Sequence, residues 1–278
     1  MIDTISRNPQ DYLMTSYSPF VEPNGPLWAG EWVEWVQELE RNSRAILLPT
    51  LPTISGACLQ CSGAGVVGNI PSLCWHCASL TTGDPLKTLL LISYSFRDGL
   101  ESLVATTKRS SYSGTSWQRK PMAALYFKWF GKHMDCINKT GEEFLITRVP
   151  SSIEASDHLR KVWDEYPMLQ TQFPLDCEAI SRATTTKPKR GSIEPEHYAV
   201  SKNVRGRNIV LVDDIFTSGA SMRSAAMKLK SEGARAVIGV ALGRTLNDES
   251  RYGNNLLIAR LAARRKWSLD VCRLCIGK

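Results

Sequence analysis

Asn208-Ile-Val-Leu-Val-Asp-Asp-Ile-Phe-Thr-Ser-Gly-Ala-Ser221 passes from apolar to acidic to hydroxyl-bearing residues within one short run. Ile209 to Val212 are mostly β-branched and end abruptly in two carboxylates, Asp213 and Asp214. A strand buried on both faces of a parallel sheet reads this way where it emerges at its carboxyl end. Thr217, Ser218, Gly219, Ala220 and Ser221 follow, and Met222, Ala225, Ala226 and Leu229 then keep the spacing of a helix that buries one stripe. Unpaired amides at a helix start carry the positive end of its dipole. With a glycine allowing close approach and hydroxyls adding donors, this junction suits a phosphate monoester. Gly233 stands where a helix-terminating glycine belongs, and Ala236 to Leu242 reads as the next buried strand. Residues 208 to 242 thus predict a complete βαβ unit with its ligand-facing residues at a strand's carboxyl end.

Outward from that unit, Glu143 to Val149 reads as a second strand, ending at Pro150, Ser151 and Ser152. The two serines also read as a helix cap leading into the stripe Ala155, Leu159, Val162 and Trp163. Between this strand and the central run, residues 182 to 207 hold seven Lys/Arg against two Glu, a basic and threonine-containing loop. Pro85 to Tyr94 is strongly apolar. Gln118 to His133 predicts a helix with Met122, Leu125, Tyr126, Trp129 and Phe130 inward and Lys120, Lys128 and Lys132 outward. A shorter helix is expected over Glu31 to Arg44, with Trp32, Trp35, Val36 and Leu39 as its packing face, and another over Leu256 to Ala263. Pro19, Pro23 and Pro26 make the first residues an extended arm.

Six of the eight cysteines fall in C-x-x-C pairs. Cys58 and Cys61, then a 12-residue spacer, then Cys74 and Cys77, place four thiolates around a structural zinc ion. His76 could replace one of them, but four cysteines need fewer assumptions. The site is closed, which excludes a hydrolytic role. Cys272 and Cys275 are more ambiguous. They could join Cys136 or Cys177 at a second metal, pair with another chain, or be two ordinary cysteines, which is the reading favoured here. Gly63-Ala-Gly65-Val-Val-Gly68 satisfies a dinucleotide fingerprint, yet it follows a cysteine knuckle and not a strand, which excludes NAD or FAD.

The chain has 278 residues, enough for one α/β domain and a smaller module, and is 43% apolar. Its polar N-terminus lacks a signal peptide's apolar core and it has no long apolar run, so a cytoplasmic protein without membrane contact is expected. The net charge of +7 fits a polyphosphate ligand and leaves nucleic acid open as a partner.

Val212-Asp-Asp-Ile-Phe-Thr-Ser-Gly-Ala-Ser221 resembles the phosphoribosyl-pyrophosphate (PRPP) signature of type I phosphoribosyltransferases. The order of cysteine module, Val-Pro-Ser loop, Arg182 to Thr185, signature and Gly243-Arg-Thr-Leu246 resembles the ComF-like family, bacterial proteins linked to DNA uptake and recombination, over residues 58 to 246. The resemblance implies an α/β fold, an open, mostly parallel twisted sheet flanked by helices with a small N-terminal four-cysteine zinc module. It implies an arm over residues 1–57, a zinc knuckle over 58–80, a phosphoribosyltransferase-like domain over 81–250 and a basic tail over 251–278. Asp213 and Asp214 would then bind ribose hydroxyls, Thr217 to Ser221 the 5′-phosphate, and Val149, Pro150, Ser151 and Ser152 the pyrophosphate held with Mg²⁺. Lys187, Lys189 and Arg190 would lie on a loop that closes over the substrate. The implied activity is transfer of ribose 5-phosphate to an unidentified acceptor. The competing expectation is a PRPP-fold sensing or interaction module acting with nucleic acid or a protein partner in DNA uptake or defence. Self-association is left open.

Overall fold

The computed structural model describes residues 47–50, 57–64, 73–78, 80, 83–95, 99–109, 119–138, 143–152, 157–246, 255–265 and 267–275. The Trp32/Trp35 helix, most of the N-terminal arm, residues 65–68 of the glycine-rich run and the side chain of His76 lie outside them. The elements in order are α1 (Trp75–Ala78), β1 (Thr88–Ser95), α2 (Gly99–Arg109), α3 (Lys120–Ile137), β2 (Phe144–Arg148), α4 (His158–Glu165), α5 (Pro167–Gln172), β3 (Ile180–Arg182), β4 (Tyr198–Val200), β5 (Asn208–Phe216), α6 (Ala220–Ser231), β6 (Ala236–Thr245) and α7 (Asn255–Ala263).

Four strands form one parallel sheet in the order β1-β6-β5-β2. The central run predicted its own neighbour: β5, α6 and β6 make the βαβ unit, with Val212 opposite Val240 and Asp213 opposite Ala241. Strand β5 runs on through both acids to Phe216, beyond the apolar residues that announced it. The mostly apolar strands follow from burial on two faces. Val210 and Val212 join Ile146, Leu90, Ile92 and Val240 in one core, with α3 and α4 above them. Ile209 and Leu211 join Leu145, Leu89 and Val237 in a second core, with Met222, Ala225, Ala226 and Leu229 of α6 below.

The first core is aromatic. Tyr126 and Trp163 lie 5.1 Å apart and Trp129 meets Phe130 edge-on at 5.3 Å, each ring removing roughly 150–250 Å² from water. Lys120, expected outward, is buried at the start of α3, beside the Arg119–Glu165 ion pair. Gly233 terminates α6 at φ 91°, where its amide and that of Ala234 bond back to Lys230 and Leu229.

The basic segment over 182–207 is less of a loop than its composition suggested. It begins and continues in a two-stranded antiparallel ribbon, β3 with β4, and Glu194 N donates to Ser224 Oγ of α6 at 2.8 Å. Ion pairs and backbone bonds to neighbouring elements hold what a run of polar residues could not specify alone.

Strand β2 hands the chain to α4 on one face and β5 hands it to α6 on the other. Adjacent parallel strands that diverge in this way open a crevice at their carboxyl ends, which is where open α/β sheets take ligands. Among the described residues no helix is long and apolar enough to cross a membrane.

Candidate functional site

The crevice is a cavity of about 630 Å³. Asp213, Asp214, Thr217, Ser218, Gly219, Ala220 and Ser221 line it from β5 and α6, and Val149, Pro150, Ser151 and Ser152 line it from the end of β2. The two loops are registered by the sheet itself, since Val149 N donates to Val212 O at 2.8 Å. Lys187 lines the cavity as well, whereas Lys189 and Arg190 are exposed outside that lining. Ser151 and Ser152 are not the cap of the following helix. That role belongs to Asp157, whose Oδ1 accepts from Arg160 N at 3.1 Å. Asp157 is itself fixed by Arg148 of β2, through Nε at 2.8 Å and Nη2 at 2.6 Å.

Gly219 adopts φ 80°, a left-handed conformation that glycine accepts at no steric cost. A Cβ there would overlap the Phe216 ring and lie 2.7 Å from Arg223 Nη1. As the residue before α6 it offers no side chain to cap the helix, leaving the first turn facing the cavity without a protein acid.

The two acids have different surroundings. Asp214 is buried, with Oδ2 2.6 Å from Lys108 Nζ and 2.5 Å from His158 Nε2. Burial alone would raise its pKa, but His158 and Lys108 outweigh that effect and hold the carboxyl below the usual range. Asp213 is half-buried. Desolvation, then the charge of Asp214, pushes it well above the usual range, and Lys108 and Lys187 only moderate the rise. The Asp213 carbonyl accepts from Tyr126 Oη at 2.8 Å, which fixes the backbone between the acids.

Lys108, from α2, was not legible in the sequence, because only the fold carries α2 over the end of β5. His158 carried a weak signal, in that it opens the basic run His158-Leu-Arg-Lys161.

Cys58, Cys61, Cys74 and Cys77 are buried together, with their four sulfurs within 4.8 Å of one another and Cys61 Sγ 3.5 Å from Cys74 Sγ. Backbone bonds from Ser62 N to Cys58 O and from Ala78 N to Cys74 O, both 2.9 Å, shape the two knuckles. The donor set fits a tetrahedral zinc ion, at which a sulfur 2.3 Å from the metal lies about 3.8 Å from the next. The surroundings fit too, because four thiolates around a dication leave two negative charges. Arg223 Nη2 reaches Cys77 Sγ at 3.1 Å and Arg244 Nη2 approaches Cys61 Sγ at 3.8 Å.

Those arginines also join the cysteine cluster to the cavity. Arg223 pairs with Asp84 at 2.9 Å and donates from Nη1 to Ser218 O at 3.1 Å, inside the loop before α6. Arg244 Nη1 donates to Phe216 O at 3.3 Å. Both guanidiniums lie over the Phe216 ring, at 5.2 and 5.4 Å from its centroid.

No family model matches the chain, and no curated protein does. Solved structures do match. One is phosphoribosylpyrophosphate synthetase from Mycobacterium smegmatis, at 17% identity, over 46% of this chain and 37% of that one, with a TM-score of 0.30. A second is HGPRT-ase from Leishmania tarentolae in complex with GMP, at 18% identity, over 52% of this chain and 67% of that one, with a TM-score of 0.25. Hypoxanthine-guanine phosphoribosyl transferase from L. donovani is 16% identical, over 51% of this chain and 71% of that one, with a TM-score of 0.26. The matched part of this chain spans little more than a third of the synthetase's length, 37%.

Proposed function

We propose that this chain is a type I phosphoribosyltransferase-like protein that binds PRPP with Mg²⁺ and transfers ribose 5-phosphate to an amine or base nitrogen, releasing pyrophosphate. The observation that carries the reading is convergence. An acid pair, a hydroxyl-lined helix start and a Pro-Ser-Ser loop come from two adjacent parallel strands and face one cavity of about 630 Å³. That volume suits a sugar bearing phosphates at both ends.

Thr217 to Ser221 would hold the 5′-phosphate through amides, hydroxyls and the dipole of α6. Asp213 and Asp214 would accept hydrogen bonds from the ribose hydroxyls, with Asp214 oriented by Lys108 and His158. The negative charge held on Asp214 favours the electron-poor sugar carbon that forms as the bond to pyrophosphate breaks. The acceptor nitrogen takes that carbon and loses its proton to water, so no protein nucleophile is needed. Val149 to Ser152 and Lys187 would face the departing pyrophosphate, and Lys189 and Arg190 could approach it only if their loop closes.

Because Lys108 and His158 already compensate Asp214, and Asp213 is held above the usual carboxylate range, the described residues lining the cavity offer no open carboxylate cage. The site fits Mg²⁺ carried in on the ligand's own phosphate oxygens, where it would offset leaving-group charge. Zinc at Cys58, Cys61, Cys74 and Cys77 would be structural. The order of cysteine module, Val-Pro-Ser loop and acid-pair strand supports a place near the ComF-like proteins.

Incubation with PRPP, Mg²⁺ and a panel of amines and bases, followed by mass spectrometry and ³¹P NMR, should give a ribosyl 5′-phosphate adduct with an equal amount of pyrophosphate. PRPP binding with no pyrophosphate release, together with salt-dependent gel shifts on single-stranded DNA or RNA, would favour the sensing module over the transferase.

A further inference from the structure

Cys272 and Cys275 gain two further candidate ligands once the chain is folded. They meet His133 and Cys136, one helical turn apart on α3, in a second cluster far along the chain from the first. Cys272 Sγ lies 3.3 Å from Cys275 Sγ, and Cys136 Sγ lies 3.4 Å from Cys275 Sγ. His133 Nδ1 is 3.5 Å from Cys275 Sγ and 3.9 Å from Cys136 Sγ. All four donor atoms fall within 4.8 Å of one another, and His133, Cys136 and Cys272 are buried. Cys177, the other cysteine considered as a partner, is not in the group.

These sulfur separations exceed a disulfide bond of about 2.0 Å and approach the roughly 3.8 Å expected between thiolates on one zinc ion. They also match the 3.5 Å between Cys61 and Cys74 in the first cluster. Two local features prepare the ligands. Cys275 N donates to Cys272 O at 3.0 Å, a tight turn that brings the two thiols side by side. His133 Nε2 lies 2.7 Å from Leu269 O, so that nitrogen carries the ring proton and Nδ1 presents its lone pair to the sulfurs.

We propose that His133, Cys136, Cys272 and Cys275 form a second structural metal site, taking one zinc ion. Three thiolates and an imidazole select zinc over magnesium, calcium or manganese. Four protein ligands leave no open position, so the ion clasps and does not catalyse. What it clasps is the segment 267–275. Trp267 Nε1 donates to Ile92 O at 3.0 Å on β1, Lys132 pairs with Asp270, and Arg273 Nη1 donates to Gln60 O at 3.0 Å inside the first knuckle. Residues 267–275 thereby strap β1, α3 and the other cysteine cluster together, with the ion holding the strap at Cys272 and Cys275.

Elemental analysis of the full chain purified without chelator tests this. Two zinc ions per chain are expected, falling to one in Cys272→Ser and also to one in Cys58→Ser. His133→Cys should keep two ions, and its cobalt-loaded form should shift toward an all-thiolate spectrum. Should Cys272→Ser fail to fold, cobalt titration of the unmutated chain decides instead: thiolate-to-cobalt bands must grow to two equivalents with two distinct spectra. A single ion per unmutated chain would overturn the proposal. So would an unchanged count in Cys272→Ser, or a disulfide among Cys136, Cys272 and Cys275 in the native protein.

Discussion

Asp213→Asn is expected to fold more stably than the parent chain while losing most of its affinity for PRPP. Asp213 is held half-buried beside a second carboxylate, and its pKa is raised first by desolvation and then by Asp214. An acid whose folded pKa exceeds its unfolded value subtracts stability once the pH passes the ordinary carboxylate range, so removing the charge should add it back. A gain of about 1 kcal/mol corresponds to roughly 2–4 °C in Tm at neutral pH for a domain of this size. The gain should vanish near pH 3, where Asp213 is protonated in both states. Loss of a carboxyl acceptor for ribose hydroxyls should weaken binding roughly 10- to 100-fold.

Asp214→Asn should behave in the opposite way toward stability. Its folded pKa is lowered, so it contributes stability that is full above about pH 4 and fades as the pH falls through the lowered value. The substitution leaves Lys108 and His158 without their carboxylate. Breaking a buried pair costs roughly 3–5 kcal/mol, and the low end applies here because the Lys108 side chain is 45% exposed. Thermal melts of the two variants across pH 3 to 8 check both signs at once. Equal destabilisation by the two substitutions would contradict the different surroundings drawn for the acids.

Removing the zinc proposed for Cys58, Cys61, Cys74 and Cys77 should disturb the cavity as well as the knuckle. Structural zinc sites contribute folding free energy directly, and loss of several kcal/mol would lower Tm by roughly 10 °C or more. The coupling runs through Arg223, which touches Cys77 Sγ, Asp84 and Ser218 O, and through Arg244, which touches Phe216 O. Chelation, or Cys74→Ser, should therefore weaken phosphate binding at Thr217 to Ser221 even at temperatures where the sheet stays folded. Circular dichroism and phosphate titration on the same samples measure the two effects separately. Unaltered phosphate affinity after loss of the metal would show that the cluster and the loop are independent.

The central βαβ unit and the first cysteine cluster were legible because each is local in sequence. A β-branched run, two acids, a glycine at a forced turn and a period-3.6 stripe all lie between residues 208 and 242, and they specify β5, α6 and β6 almost without outside help. The partners of that unit were not legible. Lys108 reaches Asp214 only because α2 returns over the sheet, and Arg244 meets the cysteines only because β1 and β6 pair in parallel, setting Tyr94 beside Arg244. Tertiary contacts of this kind leave no pattern along the chain. The second cluster is intermediate: His133 and Cys136 share a helix face with core residues, so their spacing reads as packing until the tail arrives. Had that H-x-x-C been set against Cys272-x-x-Cys275, the pairing would have been visible in the sequence.

Titration calorimetry of the zinc-loaded chain with PRPP, with and without Mg²⁺, tests the central claim most directly. One saturable site per chain is expected, tightened by Mg²⁺ and displaced by ribose 5-phosphate, since the loop from Thr217 to Ser221 should recognise the 5′-phosphate of both. A folded, metal-loaded protein that gives no heat with millimolar PRPP in the presence of Mg²⁺ would contradict it.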